Sequence, residues 1–113
     1  MFEQFISGIQ ERIAALDNQY TNQINGVWST INDLIDASHN PGAMRSTQEY
    51  TNAEGRYSEY SSLRQQITDN YNSLESNLNQ DWGEISQMLS DMNGLIDSAY
   101  EEAQSILADV GGN

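Results

Sequence analysis

The stretch that decides the fold reads LESNLNQDWGEI, residues 74–85. Its apolar residues are Leu74, Leu78, Trp82 and Ile85. They keep helical spacing through a polar segment, and a loop has no reason to keep that period, so the spacing favours one helix through the whole stretch. Two features favour a break instead: residues 77–81 are rich in Asn and Asp, and residues 81–84 have the pattern of a helix N-cap.

The two interpretations lead to different architectures, both all-α. A capping box at residues 46–49 predicts the start of the second half of the chain. If one helix spans residues 46–110, it is about 97 Å long against about 55 Å for a first helix over residues 2–37. Such a hairpin, or coiled coil, leaves its apolar C-terminal third without an intramolecular partner, so we expect an oligomer. A break near residues 78–81 gives the alternative, a monomeric three-helix up-down-up bundle.

The first half of the chain contains a clear helical pattern. Apolar residues recur every three or four positions over residues 2–37, as on one face of an α-helix. Two successive four-residue steps, at Leu16, Tyr20 and Ile24, form a stutter that locally unwinds a supercoil. The only proline, flanked by Asn and Gly, predicts a turn over residues 38–45. At 113 residues, we expect a single helical domain.

Tyrosine and arginine occur where a helical core would normally be apolar. A tyrosine hydroxyl needs a partner when it is buried, so these positions favour a wet helix interface or a protein–protein contact, with an ordinary core as the alternative. Arg64 resembles a residue that sets helix register, with Glu59, Asp69 or an acid of another chain as its expected partner. The predicted protein–protein interface consists of Tyr50, Tyr57, Tyr60, Arg64, Tyr71, Trp82, Ile85, Leu89, Met92, Ile96 and Ile106.

The charge balance limits the classes of partner. The chain has 17 acidic and 4 basic side chains, a net charge of -13, and all four basic residues are arginines. Phosphate backbones and anionic membranes are bound through Lys and Arg, so we expect no direct nucleic-acid binding and no membrane insertion. The N-terminus lacks the basic and apolar blocks of a signal peptide, and we expect a soluble protein.

Residues that could perform chemistry are scarce. Cysteine is absent and His39 is the only histidine, so we expect no metal site. No nucleophile motif or glycine-rich phosphate loop occurs, and the carboxylates fall on the outer faces of the predicted helices. We therefore expect a protein that is not an enzyme and has no cofactor.

Two functional hypotheses follow from a coiled-coil pattern without catalytic motifs. The leading hypothesis is a structural or assembly protein that associates with itself or with other proteins of an assembly. A component of a phage or virus particle, located in the virion, is its most specific form. The alternative is a soluble acidic helical binding module, such as a secretion substrate, an adaptor or an inhibitor that mimics DNA.

Overall fold

The structure, a computed structural model, describes residues 3–111 and is almost entirely helical, which confirms the all-α prediction. Residue 2, where the first helix was predicted to begin, lies outside the described residues. An N-terminal helix contains α1, a π-helical turn and α2, and three further helices follow it. In chain order these elements are α1 (Glu3–Leu16), the π-helical turn (Asp17–Thr21), α2 (Asn22–Asp36), α3 (Pro41–Arg45), α4 (Gln48–Ser76) and α5 (Trp82–Gly111).

The continuous helix predicted over residues 46–110 is wrong, because α4 ends at Ser76 and α5 begins at Trp82. The chain reverses between them, so the N-terminal helix, α4 and α5 run up, down and up, as in the three-helix alternative. Helix α5 packs against both of the others in a molecule of 59 × 21 × 18 Å. The apolar C-terminal third therefore finds its partners within the chain.

The turn between α4 and α5 keeps helical spacing for a reason other than helix formation. Leu78 is half-buried and packs against the core, so packing fixes its position. Asp81 caps α5, and its Oδ1 accepts the Glu84 backbone N–H at 3.0 Å. Asn and Asp side chains compete with helical hydrogen bonds through such local contacts, which explains why the helix stops here.

Proline in place of Asn79 tests this turn. We expect Asn79→Pro to lower the free energy of unfolding by less than about 1 kcal/mol, because Asn79 lies outside both helices. Gln66→Pro, at an exposed position inside α4, should cost about 3 kcal/mol or more. Urea titrations compare the two variants, and equal losses would mean that residues 77–81 are helical in solution.

The π-helical turn explains how the stutter at Leu16, Tyr20 and Ile24 is compatible with a single core. Leu16 and Ile24 are both fully buried although eight residues separate them. Eight residues of regular α-helix overshoot two turns by about 80°, which would point one of the two side chains away from the core. The Asn22 N–H bonds to the Asp17 carbonyl, five residues back, and this wider turn absorbs the extra residue.

The connection between α2 and α4 is more ordered than the predicted turn over residues 38–45. It contains α3, whose N-cap Asn40 accepts the Ala43 N–H. Helix α4 begins later than the capping box predicted, because Thr47 is its N-cap and accepts the Tyr50 N–H at 3.2 Å. The Ser46 hydroxyl instead donates to a carbonyl in α3. None of the described helices combines the length and apolar character needed to span a bilayer.

Candidate protein contact surfaces

The residues predicted to form an intermolecular interface lie mostly inside the bundle. On α5, Ile85, Leu89, Met92, Ile96 and Ile106 are each at most 9% exposed and belong to the core, together with Tyr57 and Tyr60 of α4. Tyr50, Arg64 and Tyr71 are half-buried, and Trp82 is 51% exposed. The other helices of the same chain therefore cover the apolar side chains of α5, and no second chain is needed to bury them.

The tyrosines of α4 connect it to the N-terminal helix. The Tyr60 hydroxyl lies 2.6 Å from the Thr21 hydroxyl, in the π-helical turn. The Tyr71 hydroxyl accepts a hydrogen bond from Gln10 at 2.5 Å. Both contacts lie between helices of this chain, and Tyr60 belongs to the core, which is the alternative environment for these tyrosines.

A stack of aromatic rings closes the upper part of this interface. Trp28 of α2 lies between two tyrosines of α4, with its ring centroid 4.6 Å from that of Tyr57 and 5.3 Å from that of Tyr50. The Tyr50 hydroxyl donates to Asn32 at 2.8 Å. Arg45 also donates to Asn32 and lies over the Tyr50 ring, so α3 is held to the same cluster.

Arg64 pairs with Asp17, not with Glu59 or Asp69 as its sequence neighbours suggested. Its Nε and Nη2 atoms donate to the two carboxylate oxygens of Asp17 at 2.8 and 2.9 Å. This bidentate hydrogen bond holds the pKa of the Asp17 carboxyl below its usual value, and partial burial opposes the effect. The pair joins α4 to the π-helical turn, where both side chains are less than one-third exposed.

The pH dependence of stability should report this pair. Asp17→Asn should lower the free energy of unfolding at pH 7 by about 1–2 kcal/mol, because Arg64 keeps its charge and loses an ionised partner. The folded pKa lies below the unfolded value of about 3.9, so the contribution is fully present above that value and is lost as the pH falls through the folded one.

Urea titrations of wild type and Asp17→Asn at several pH values measure this effect. The difference between them should be constant above about pH 5 and shrink below about pH 4. A difference that stays constant down to about pH 2 would show that the carboxylate charge of Asp17 does not contribute.

Two buried tyrosines provide a matched pair. The Tyr57 hydroxyl has no hydrogen-bond partner among residues 3–111, and burial raises the pKa of Tyr57. Tyr57→Phe should therefore leave stability unchanged or raise it by up to about 1 kcal/mol. Tyr60→Phe should lower it by about 0.5–1.5 kcal/mol, since the hydrogen bond between the Tyr60 and Thr21 hydroxyls is lost. Thermal unfolding compares them, and equal losses would contradict the assignment.

A shallow groove follows the outer side of this interface. Three depressions of about 310, 240 and 210 Å³ lie along it in order, and Arg64 lines the first two. Most side chains along the groove are neutral and polar. The lining includes Gln10, Thr21, Asn25, Ser58, Ser61, Gln65 and Thr68. The groove can form hydrogen bonds, and the described residues hold no group of three metal-ligating side chains.

All four arginines join two helices of the same chain. The pairs are Arg12–Asp97 at 2.6 Å, Arg45–Asp36 at 2.8 Å, Arg56–Asp109 and Arg64–Asp17. Each guanidinium is therefore already engaged with a carboxylate within the bundle. Because acidic residues greatly outnumber arginines, the outer faces of the helices keep an excess of negative charge.

Large exposed hydrophobic side chains mark the two ends of the bundle. Phe5 (38% exposed) and Trp82 (51%) lie where α1 and α5 begin, with ring centroids 5.4 Å apart, and we call them the base patch. Leu34 (67%) and Met44 (45%) lie in the last turn of α2 and in α3, at the opposite end, and we call them the top patch. Of these four, only Trp82 was predicted to be an interface residue.

Comparison with known proteins does not assign the chain to a family. No family model, curated protein or solved structure matches it.

Proposed function

We propose that this protein is a non-enzymatic structural protein that assembles with copies of itself through its two ends. The location of the base and top patches carries the proposal. Each patch places large apolar side chains in water at the point where helices begin or end. Isolated exposed hydrophobics are common, but the paired rings of Phe5 and Trp82 form a contiguous surface of the kind found at protein contacts.

The negative charge on the sides of the bundle disfavours contact between sides and therefore favours association through the ends. The carboxylates are not matched by free arginines, because each arginine is paired inside the chain. Two copies placed side by side would bring like charges together along a 59 Å length. Contact at the ends brings far fewer charges together, so it is the arrangement that a chain of net charge -13 tolerates best.

Light scattering over a concentration series tests self-assembly. We expect a mass near 12.7 kDa at about 10 μM, rising clearly above it towards about 1 mM, since millimolar concentrations populate even weak contacts. The rise should be larger at high salt, which screens the repulsion between acidic copies. A mass that stays at that of one chain under all these conditions would overturn the proposal.

The setting that fits such a protein best is a phage or virus particle, where small helical proteins are repeated in large numbers. Mass spectrometry of purified particles from cells that express the chain tests this setting. Enrichment of the chain in the particle fraction over the lysate would support it. Equal abundance in the two fractions would contradict it.

An acidic binding module, such as a secretion substrate, an adaptor or an inhibitor that mimics DNA, is the second candidate. The pairing of every arginine favours it, because a basic partner would meet carboxylates without competing guanidinium groups. Such a complex should weaken steeply as salt increases, opposite to the expected self-association. A monomer at all concentrations that captures one basic protein in a salt-sensitive manner would favour this candidate.

A further inference from the structure

We infer that copies of this protein join head to tail, with the base patch of one copy against the top patch of the next. This inference rests on the proposed assembly function and specifies its geometry. The base patch offers the rings of Phe5 and Trp82, and the top patch offers the flexible aliphatic chains of Leu34 and Met44. Aliphatic side chains can pack on aromatic rings without a special geometry, so the two patches suit each other.

The positions of the patches favour a heterologous contact over a symmetric one. They lie at opposite ends of the 59 Å bundle. A symmetric contact between two base patches covers Phe5 and Trp82 but leaves Leu34 and Met44 of both copies in water, and the reverse holds for two top patches. One head-to-tail contact, repeated, covers both patches with a single kind of interface.

The cross-section of the bundle sets the strength of the contact. The Cα atoms extend over 21 × 18 Å, and the side chains widen this footprint to about 500 Å² per copy. The total of about 1,000 Å² lies at the lower limit of specific interfaces, so we expect association that depends on concentration. A heterologous contact whose rotation does not close a ring produces an open row of copies.

Two variants, each blocked at one end, test the polarity of this contact. Trp82→Asp blocks the base and Leu34→Asp blocks the top, and both positions are at least half exposed, so the fold should tolerate the changes. At the concentration where wild type associates, each variant alone should remain at 12.7 kDa. An equimolar mixture should reach twice that mass and stop, because only one intact base and one intact top can meet.

Two control variants test whether an added negative charge alone prevents association. Ser90→Asp and Gln23→Asp add the same charge at exposed positions on the sides of the bundle and should associate like wild type. Circular dichroism confirms that every variant is folded.

Two outcomes would contradict the head-to-tail contact. If Leu34→Asp alone forms dimers, the contact joins two bases, and if Trp82→Asp alone forms dimers, the contact joins two tops. Either result overturns the head-to-tail inference and leaves self-assembly in place, whereas a wild type that never associates overturns both.

Discussion

Ile96→Asp is expected to unfold the whole chain. Ile96 is fully buried in the middle of α5, the helix that packs against both of the others. An unpaired charge in such a position costs several kcal/mol, and the lost apolar burial adds about 2 kcal/mol more. Small domains have a total stability of about 5–15 kcal/mol, so we expect a large loss of helical circular dichroism at 25 °C or a much lower urea midpoint.

The same variant separates the bundle from an intermolecular coiled coil. If Ile96 faced another chain, its replacement by Asp would give a folded monomer with its N-terminal helix intact. Two control variants calibrate the result. Ile96→Val should cost about 0.5–1.5 kcal/mol, and Ser90→Asp, exposed on the same helix, less than about 0.5 kcal/mol. A helical and monomeric Ile96→Asp variant would show that this core position is assigned incorrectly.

Replacing three helical glycines by alanine should stabilise the protein by about 3 kcal/mol in total. Gly26, Gly55 and Gly94 lie inside α2, α4 and α5, and none has a positive φ. A Cβ atom at each of them would meet nothing within 4 Å. Alanine therefore removes conformational freedom from the unfolded chain without a steric cost in the folded one.

Thermal unfolding measures this gain as a higher midpoint temperature. For a domain of this size, we expect a rise of about 10–20 °C in the triple variant. Gly83→Ala provides a contrast, because its Cβ would lie 3.4 Å from the Oδ1 of the capping Asp81, so a smaller gain is expected. An unchanged or lower midpoint in the triple variant would mean that at least one of the three glycines is needed for its backbone.

Periodicity predicted the helices well and failed at one connection. The pattern over residues 2–37 corresponds to a helix that the structure describes from Glu3 to Asp36. The apolar residues Leu74, Leu78 and Trp82 repeat the two four-residue steps of the stutter in the first helix. That stutter became a π-helical turn, whereas the second set of steps became a chain reversal. Spacing alone cannot separate these outcomes, because Leu78, held in a turn by core packing, imitates a helical position. The cap at Asp81 was the informative signal, since it reports local hydrogen bonding.

The contact surfaces were less predictable, for two physical reasons. The partner of Arg64 lies 47 positions away in the chain, and only the packing of helices brings Asp17 to it. Leu34 follows the apolar spacing of the first helix, so a spacing argument places it in the core. Met44 lies in the predicted turn, where spacing does not single it out. Whether such residues are covered depends on where the neighbouring helices end, which becomes known only once the turns are located.

The position of α5 between its two neighbours has a consequence for the order of folding. A turn of five residues joins α4 to α5, so this hairpin closes a short loop, whereas the N-terminal helix reaches α5 only across the whole length of α4. Longer loops cost more entropy to close. We expect the α4–α5 hairpin to form first and the N-terminal helix to dock last, and amide protons of the N-terminal helix to exchange with solvent sooner than those of α5.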